Sequence, residues 1–418
     1  MLKVAVNDTF GTAVAGASVK GPLSTLRTDA QGVAVLIVDG AASGTTVTVS
    51  GPDFADQSAV VPLRPHQNNE VLITLVRTTS AAGGSLTSRG AFLPSVSGNA
   101  QEMTFEIEIV VVDGDSRPID NLRPTDFTLR PCTPDSANNK VDCVRGASAA
   151  VDVAYAPSVA TPAAMESVAG GLATPYAAAM LLDQSGSILQ SDPSGARLFS
   201  AKSFMGTLGT DDRVLLAAFA GGPDARIPTP PLAVYGPFKD KVSAPSYFST
   251  LDSLAPLVGG NTPLYTSIDG LRQRLVGDAT LAAGLSKAMV VFTDGADTSC
   301  TSLENCRATR AQTIQQANAD HVRLFTIGLS SGVDVAALGE LANQTGGAFL
   351  YADTAEQLLP LYGSLGRLLS LSLPTYRLRW TVQAPAANAF PSGSTLLGRV
   401  QVRAAGKTFD VPFVVGIP

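Results

Sequence analysis

The chain has 418 residues, is 45% hydrophobic and 15% charged, and carries a formal net charge of −6. That apolar content excludes a disordered chain, and the length implies two to four domains because single cores stop growing well below this size. The acidic balance and the lack of a Lys/Arg cluster exclude a nucleic-acid-binding stripe. No apolar stretch has the length of a membrane span; 147–159, for example, is broken by Asp152 and Pro157.

Residues 1–78 read as a small all-β domain, with β-rich runs at 2–6, 17–20, 32–38, 45–50 and 70–76 separated by turn signals. The opening Met1-Leu2-Lys3-Val4-Ala5-Val6 reads as a first strand and not as a signal peptide, since no apolar core or cleavage site follows. Asp8, Gly11, Gly16, Ala17 and Val19, followed by Thr28, Asp29 and Gly32, fit the strand-pair and turn pattern of a known module. On those residues the segment resembles carboxypeptidase regulatory-like and bacterial Ig-like domains. That resemblance implies a β-sandwich serving as a spacer or binding module, the plain structural role being favoured.

Residues 79–100 contain AAGGSLTS and SVSGNA and read as a flexible linker. Strands return at 103–112, where Phe105, Ile107, Ile109 and Val111 alternate with Glu106, Glu108 and Val110. Period two predicts one buried face and one wet face carrying the acids. Segments 125–130 and 151–155 add shorter strands, and a Pro/Ala/Ser-rich stretch at 157–175 leads to a different regime.

Within 172–372, short apolar runs at 176–182, 213–219, 288–293, 322–327 and 348–351 alternate with amphipathic segments at 196–208, 264–275, 307–319, 335–344 and 355–369. This alternation predicts a doubly wound, Rossmann-like α/β domain with helices on both faces of a parallel sheet. After Pro374 the chain reverts to β at 375–382, 395–402 and 408–415. Three strands are too few for a sandwich alone. They are expected to pair with the strands before the α/β domain, so that 101–156 plus 374–418 form one split β-sandwich; a separate C-terminal hairpin is the alternative. The expected fold class is therefore multidomain, an α/β domain inserted in or flanked by β-sandwiches.

The four cysteines fall as two local pairs, Cys132 with Cys143 and Cys300 with Cys306. Neither pair has the spacing of a zinc knuckle, so two loop-closing disulfides are the natural reading, with four free thiols in a cytosolic protein as the alternative. Disulfides imply an extracellular, cell-surface or periplasmic location, with an export signal lying outside this sequence.

Three segments carry chemistry. Asp183-Gln184-Ser185-Gly186-Ser187 closes the first strand of the α/β region, where open α/β sheets place their ligands. One carboxylate and two hydroxyls there can face one centre, with Gly186 expected to ease the turn. Thr262-Pro263-Leu264 opens a helix with Pro263 at the first helical position. Thr293-Asp294-Gly295 sets a second carboxylate at another strand end. Taken singly, each is equally well a helix cap or turn. Together, D-x-S-x-S, T-P-L and T-D-G resemble the metal-ion-dependent adhesion site of von Willebrand factor type A domains, with strand–helix order matching over roughly 176–371. The resemblance implies that Ser185, Ser187 and Thr262 ligate the ion directly, and that Asp183 and Asp294 do so directly or through water.

The donors are all hard oxygens, so Mg²⁺, Ca²⁺ or Mn²⁺ suits them, and zinc or copper does not. Few protein charges leave the ion electrophilic, able to take an Asp or Glu from a protein partner. Metal-dependent binding or adhesion without catalysis is thus the leading expectation. The alternative is a scaffold or assembly subunit of an exported bacterial complex with no ion-dependent ligand. A serine hydrolase would need a base, and only His66 and His321 exist. Asp297 reads as a solvated loop acid, with hydrogen-bond support of the site as the alternative. Ligand identity and oligomeric state leave no trace in the sequence.

Overall fold

The computed structural model describes residues 1–8, 13–39, 41–51, 54–75, 88–98, 101–112, 119, 122–131, 144–145, 152–153, 155–157, 159, 161–168, 174–330, 332–352, 354–370, 374–383, 390–392, 394–404 and 407–417. Cys132 and Cys143 lie outside them.

Among the described residues the N-terminal region holds seven strands: β1 (Leu2–Asp8), β2 (Ser18–Lys20), β3 (Thr25–Arg27), β4 (Val33–Leu36), β5 (Gly44–Gly51), β6 (Phe54–Pro62) and β7 (Asn69–Leu75). They form two sheets, β4-β1-β7 and β3-β2-β5-β6. Alternate residues of these strands, Leu2, Val4 and Val6 with Val47 and Val49, meet in a core of their own. Thr28 is buried there because its hydroxyl donates to the Val14 carbonyl and accepts from the Ala17 amide.

Seven further strands precede the α/β region: β8 (Ser88–Gly98), β9 (Glu102–Val112), β10 (Phe127–Leu129), β11 (Val144–Arg145), β12 (Asp152–Val153), β13 (Ala156–Pro157) and β14 (Ala164–Val168). The α/β region itself contains β15 (Tyr176–Asp183), α1 (Ile188–Ser191), α2 (Ala196–Gly206), β16 (Arg213–Phe219), β17 (Leu232–Val234), α3 (Phe248–Leu254), α4 (Leu264–Val276), β18 (Ser286–Thr293), α5 (Leu303–Ala319), β19 (Val322–Leu329), α6 (Val335–Gln344), β20 (Ala348–Ala352) and α7 (Leu358–Leu369). Its strands run in the order β20-β19-β18-β15-β16-β17, all parallel except the antiparallel edge strand β17.

Continuous apolar runs occur here because both faces are covered. In β15, Ala178, Met180 and Leu182 pack with Phe204 and Leu361 on one side. Ala177, Ala179 and Leu181 pack with Leu271 and Leu341 on the other. Among the described residues no helix is long and apolar enough to cross a membrane.

Three strands close the chain: β21 (Thr375–Gln383), β22 (Thr395–Ala404) and β23 (Lys407–Gly416). β21 pairs antiparallel with β9, and β22 pairs with β10, β11 and β23. Phe105, Ile107 and Ile109 share one core with Phe127, Leu378, Trp380, Val400 and Phe413. Two expectations need correction. Glu108 does not face water: it is buried, bonded to the Arg377 guanidinium at 2.6 Å and accepting from the Thr375 hydroxyl. Residues 88–98 are strand, not linker. β8 pairs with both β9 and β20, so the α/β sheet runs on into the flanking β layer as one sheet of 11 strands.

Candidate metal centre

β15 and β18 lie side by side in parallel, Leu182 opposite Phe292, so Asp183 and the Thr293-Asp294 pair leave the sheet together at its carboxyl end. Asp183 is fully buried and both its oxygens are used. Oδ1 accepts from the Ser185 amide at 2.7 Å, and Oδ2 from the Thr293 hydroxyl at 2.6 Å. Burial pushes its pKa up to about 6; the bonds from Ser185 and Thr293 oppose that rise, and the nearby Asp294 charge adds to it.

The following turn is clamped to the loop before α4. The Gly186 amide donates to the Gly260 carbonyl at 3.0 Å, and the Gly259 amide to the Gln184 carbonyl at 2.8 Å. The glycine the site needs is Gly260 rather than Gly186. Gly260 has φ +86°, and a Cβ there would sit 2.2 Å from the Gly221 carbonyl oxygen. A Cβ on Gly186 would meet nothing closer than 3.5 Å.

The serines do not cap the helix they precede. Ser187, at the N-cap of α1, makes no capping bond. Its hydroxyl donates instead to Asp294 Oδ1 at 2.7 Å and lies 3.2 Å from the Ser185 hydroxyl. Ser191, one helical turn further on, donates to Asp294 Oδ2 at 2.5 Å. The Ser187 and Thr262 hydroxyl oxygens each lie 3.9 Å from where a Cβ on Gly295 would stand, which brings all three loops together. Thr262 and Asp294 are buried, whereas Ser187 is exposed and opens the cluster to solvent.

Thr262 is positioned from the β18–α5 loop. Its amide donates to the Thr298 hydroxyl at 2.8 Å, and its carbonyl accepts from the Thr298 amide at 3.0 Å. α4 begins at Leu264, with Pro263 at the N-cap and not at the first helical position. Its N-terminal amides, which have no partner within the helix, are met in part by Asp297, whose Oδ2 accepts from the Tyr265 amide at 2.8 Å. Asp297 is thus a helix cap supplied from another loop, where a solvated acid was expected. Cys300 and Cys306 are disulfide-bonded and join this loop to the first turn of α5.

Sequence reasoning singled out Asp183, Ser185, Ser187, Thr262 and Asp294, and the fold brings all five to one end of the sheet. It named Thr293 only as part of the T-D-G motif and gave no role to Ser191 or Thr298. For Ser191 the available signal was its place four residues after Ser187, on the same face of a helix. The donor set of two carboxylates and three hydroxyls fits a hard divalent cation, which would offset the burial and, to a smaller extent, the nearby Asp294 charge that raise the Asp183 pKa. Among the described residues no histidine stands near the Ser185 and Ser187 hydroxyls. His66 lies in the turn between β6 and β7 of the N-terminal region, and His321 precedes β19 at the opposite end of the sheet, roughly 20 Å of strand away.

Residues 179–362 match the family model of the von Willebrand factor type A domain, and this part of the chain is such a domain. Among solved structures, proximal thread matrix protein 1 from the mussel byssus is 15% identical, with TM-score 0.39 over 49% of this chain and 50% of that one. A von Willebrand factor type A protein from Catenulispora acidiphila is 12% identical, with TM-score 0.37 over 79% and 73% of the two chains. The manganese-loaded TRAP protein of Plasmodium vivax is 12% identical, with TM-score 0.34 over 60% and 96%. The chain thus spans about half the length of the mussel protein. No curated protein matches it.

Proposed function

We propose that Asp183, Ser185, Ser187, Thr262 and Asp294 hold one divalent cation, Mg²⁺, Ca²⁺ or Mn²⁺, and that the ion binds a carboxylate of a protein partner. Ser185, Ser187 and Thr262 would be the direct ligands, with the two carboxylates bound directly or through water. The carrying observation is that the Ser187 hydroxyl makes no helix-capping bond and, together with the Ser191 hydroxyl, donates to Asp294, a residue more than a hundred positions away. Two carboxylates spread over five donors leave an ion short of negative charge, which favours an external acidic ligand over water. The chain acts by binding and not by catalysis. Metal alone tests this: calorimetric titration of Mg²⁺, Mn²⁺ and Ca²⁺ into EDTA-treated protein is expected to show one saturable site, lost in Asp183→Ala. No uptake by the wild type would overturn the reading.

A second reading, a scaffold without an ion-dependent ligand, has its own observation in its favour. The domain shares one continuous sheet with the β layer beside it, as a structural element would. We further propose that 101–156 and 374–418 make one split β-sandwich carrying the domain as an insertion, supported by the β9–β21 and β10–β22 pairing and the common core. A location outside the cytosol is supported by the Cys300–Cys306 bond.

A further inference from the structure

We infer that Thr298 is a positioning residue for the metal centre, holding Thr262 in place from a loop that the Cys300–Cys306 disulfide anchors; this rests on the metal reading above. Thr262 lies in a short segment between Asn261 and the start of α4 and has no strand of its own to fix it. Two bonds to Thr298 grip its backbone, the amide donating to Oγ1 at 2.8 Å and the carbonyl accepting from the Thr298 amide at 3.0 Å. Asp297, the preceding residue, fastens the same loop to α4 through the Tyr265 amide. Its other oxygen, Oδ1, accepts from the Ser299 amide at 2.7 Å and the Ser299 hydroxyl at 2.6 Å and lies 3.6 Å from Cys300 Sγ.

The disulfide then ties Cys300 to Cys306 in the first turn of α5, whose N-cap Ser302 accepts from the Asn305 amide. A chain of covalent and hydrogen bonds therefore runs from α5 to the backbone of one proposed ligand. Thr298 touches no ion itself: it is exposed, and what it offers is an acceptor for a buried neighbour's amide. Supports of this kind orient ligand side chains, and removing one weakens metal affinity without touching the ligand set.

The test is Mn²⁺ titration into the EDTA-treated full chain, with the melting temperature of the metal-free protein followed in parallel. Thr298→Val keeps the shape and removes the acceptor, and is expected to weaken Mn²⁺ binding about tenfold. Thr298→Ser keeps the hydroxyl and is expected to restore it. The paired Cys300→Ser and Cys306→Ser variant should lose affinity in the same direction, and full affinity in it would overturn the anchoring role. Wild-type affinity in Thr298→Val would overturn the proposal, as would a loss that Thr298→Ser fails to restore or that a fall in metal-free melting temperature accompanies. Absence of Mn²⁺ uptake by the wild type is a separate result that removes the metal centre itself.

Discussion

Asp183 is a carboxylate surrounded by donors and still held at a pKa of about 6, because its burial outweighs the bonds from Ser185 and Thr293. The sign of its linkage follows. Its folded pKa lies above the ordinary value of 3.8, so the metal-free fold loses stability as pH rises from about 4 through 6 and the buried group ionises. A cation favours the ionised form, and below pH 6 it must displace a proton. The Mn²⁺ affinity is therefore expected to be flat above pH 7 and to fall by up to tenfold per pH unit below about 6. An affinity unchanged between pH 7.5 and 5 would contradict this. Beneath the same turn, the buried Arg197 guanidinium pairs with Asp192 at 2.8 Å and donates to Gln184 Oε1 at 2.9 Å. Arg197→Met leaves Asp192 buried without its cation, a change expected to cost about 3–5 kcal/mol in urea unfolding. A loss under about 1 kcal/mol would mean the pair contributes little.

At the scale of elements, α6 packs against both β19 and β23. α6 lies against β23 so closely that a Cβ on Gly339 would stand 2.5 Å from Val414 Cγ2, and the Asn343 amide group donates to the Val414 carbonyl. Gly339→Ala is expected to destabilise by about 1–3 kcal/mol through overpacking, measured by thermal or urea unfolding. A neutral or stabilising result would show that β23 yields without cost. These fits also mark how far the sequence could be read. The strands β15, β16, β18, β19 and β20 and the helices α2, α4, α5, α6 and α7 were legible because their apolar runs and helical periods are continuous. α3 and β17 were not, since both sit in the Pro/Gly-rich 221–263 stretch, where periodicity is broken. β8 was hidden by Gly90, Pro94 and Gly98. Its register with β9 shifts between Phe92 and Ser95, so Pro94 falls where the ladder is already interrupted. The five proposed ligands could be read as a motif, and Asp297 as an alternative support, while Thr298 could not, because it acts through backbone groups brought near only by folding.

For the whole molecule, β8 is the strand that matters. It joins β20 to β9, and β9 joins β21, so the α/β domain and the β layer share one hydrogen-bonded sheet while keeping separate cores. The N-terminal strands have their own core and touch the rest more lightly, as in the bond from the Gln57 side chain to the Gly206 carbonyl at 3.3 Å. Hydrogen exchange is expected to show β9, β21, β15 and β18 opening together in one cooperative unit, with β1 and β5 opening at lower free energy. Exchange of β9 and β21 well before β15 and β18 would mean that the shared sheet does not couple the two layers.

The central claim is that three loops make one cation site. Crystals soaked in Mn²⁺ and measured at the manganese absorption edge test it most directly. The expected result is a single strong anomalous peak within bonding distance of the Ser185, Ser187 and Thr262 hydroxyls, next to Asp183 and Asp294. A peak elsewhere, or none at this cluster in protein that is otherwise well ordered, would contradict it.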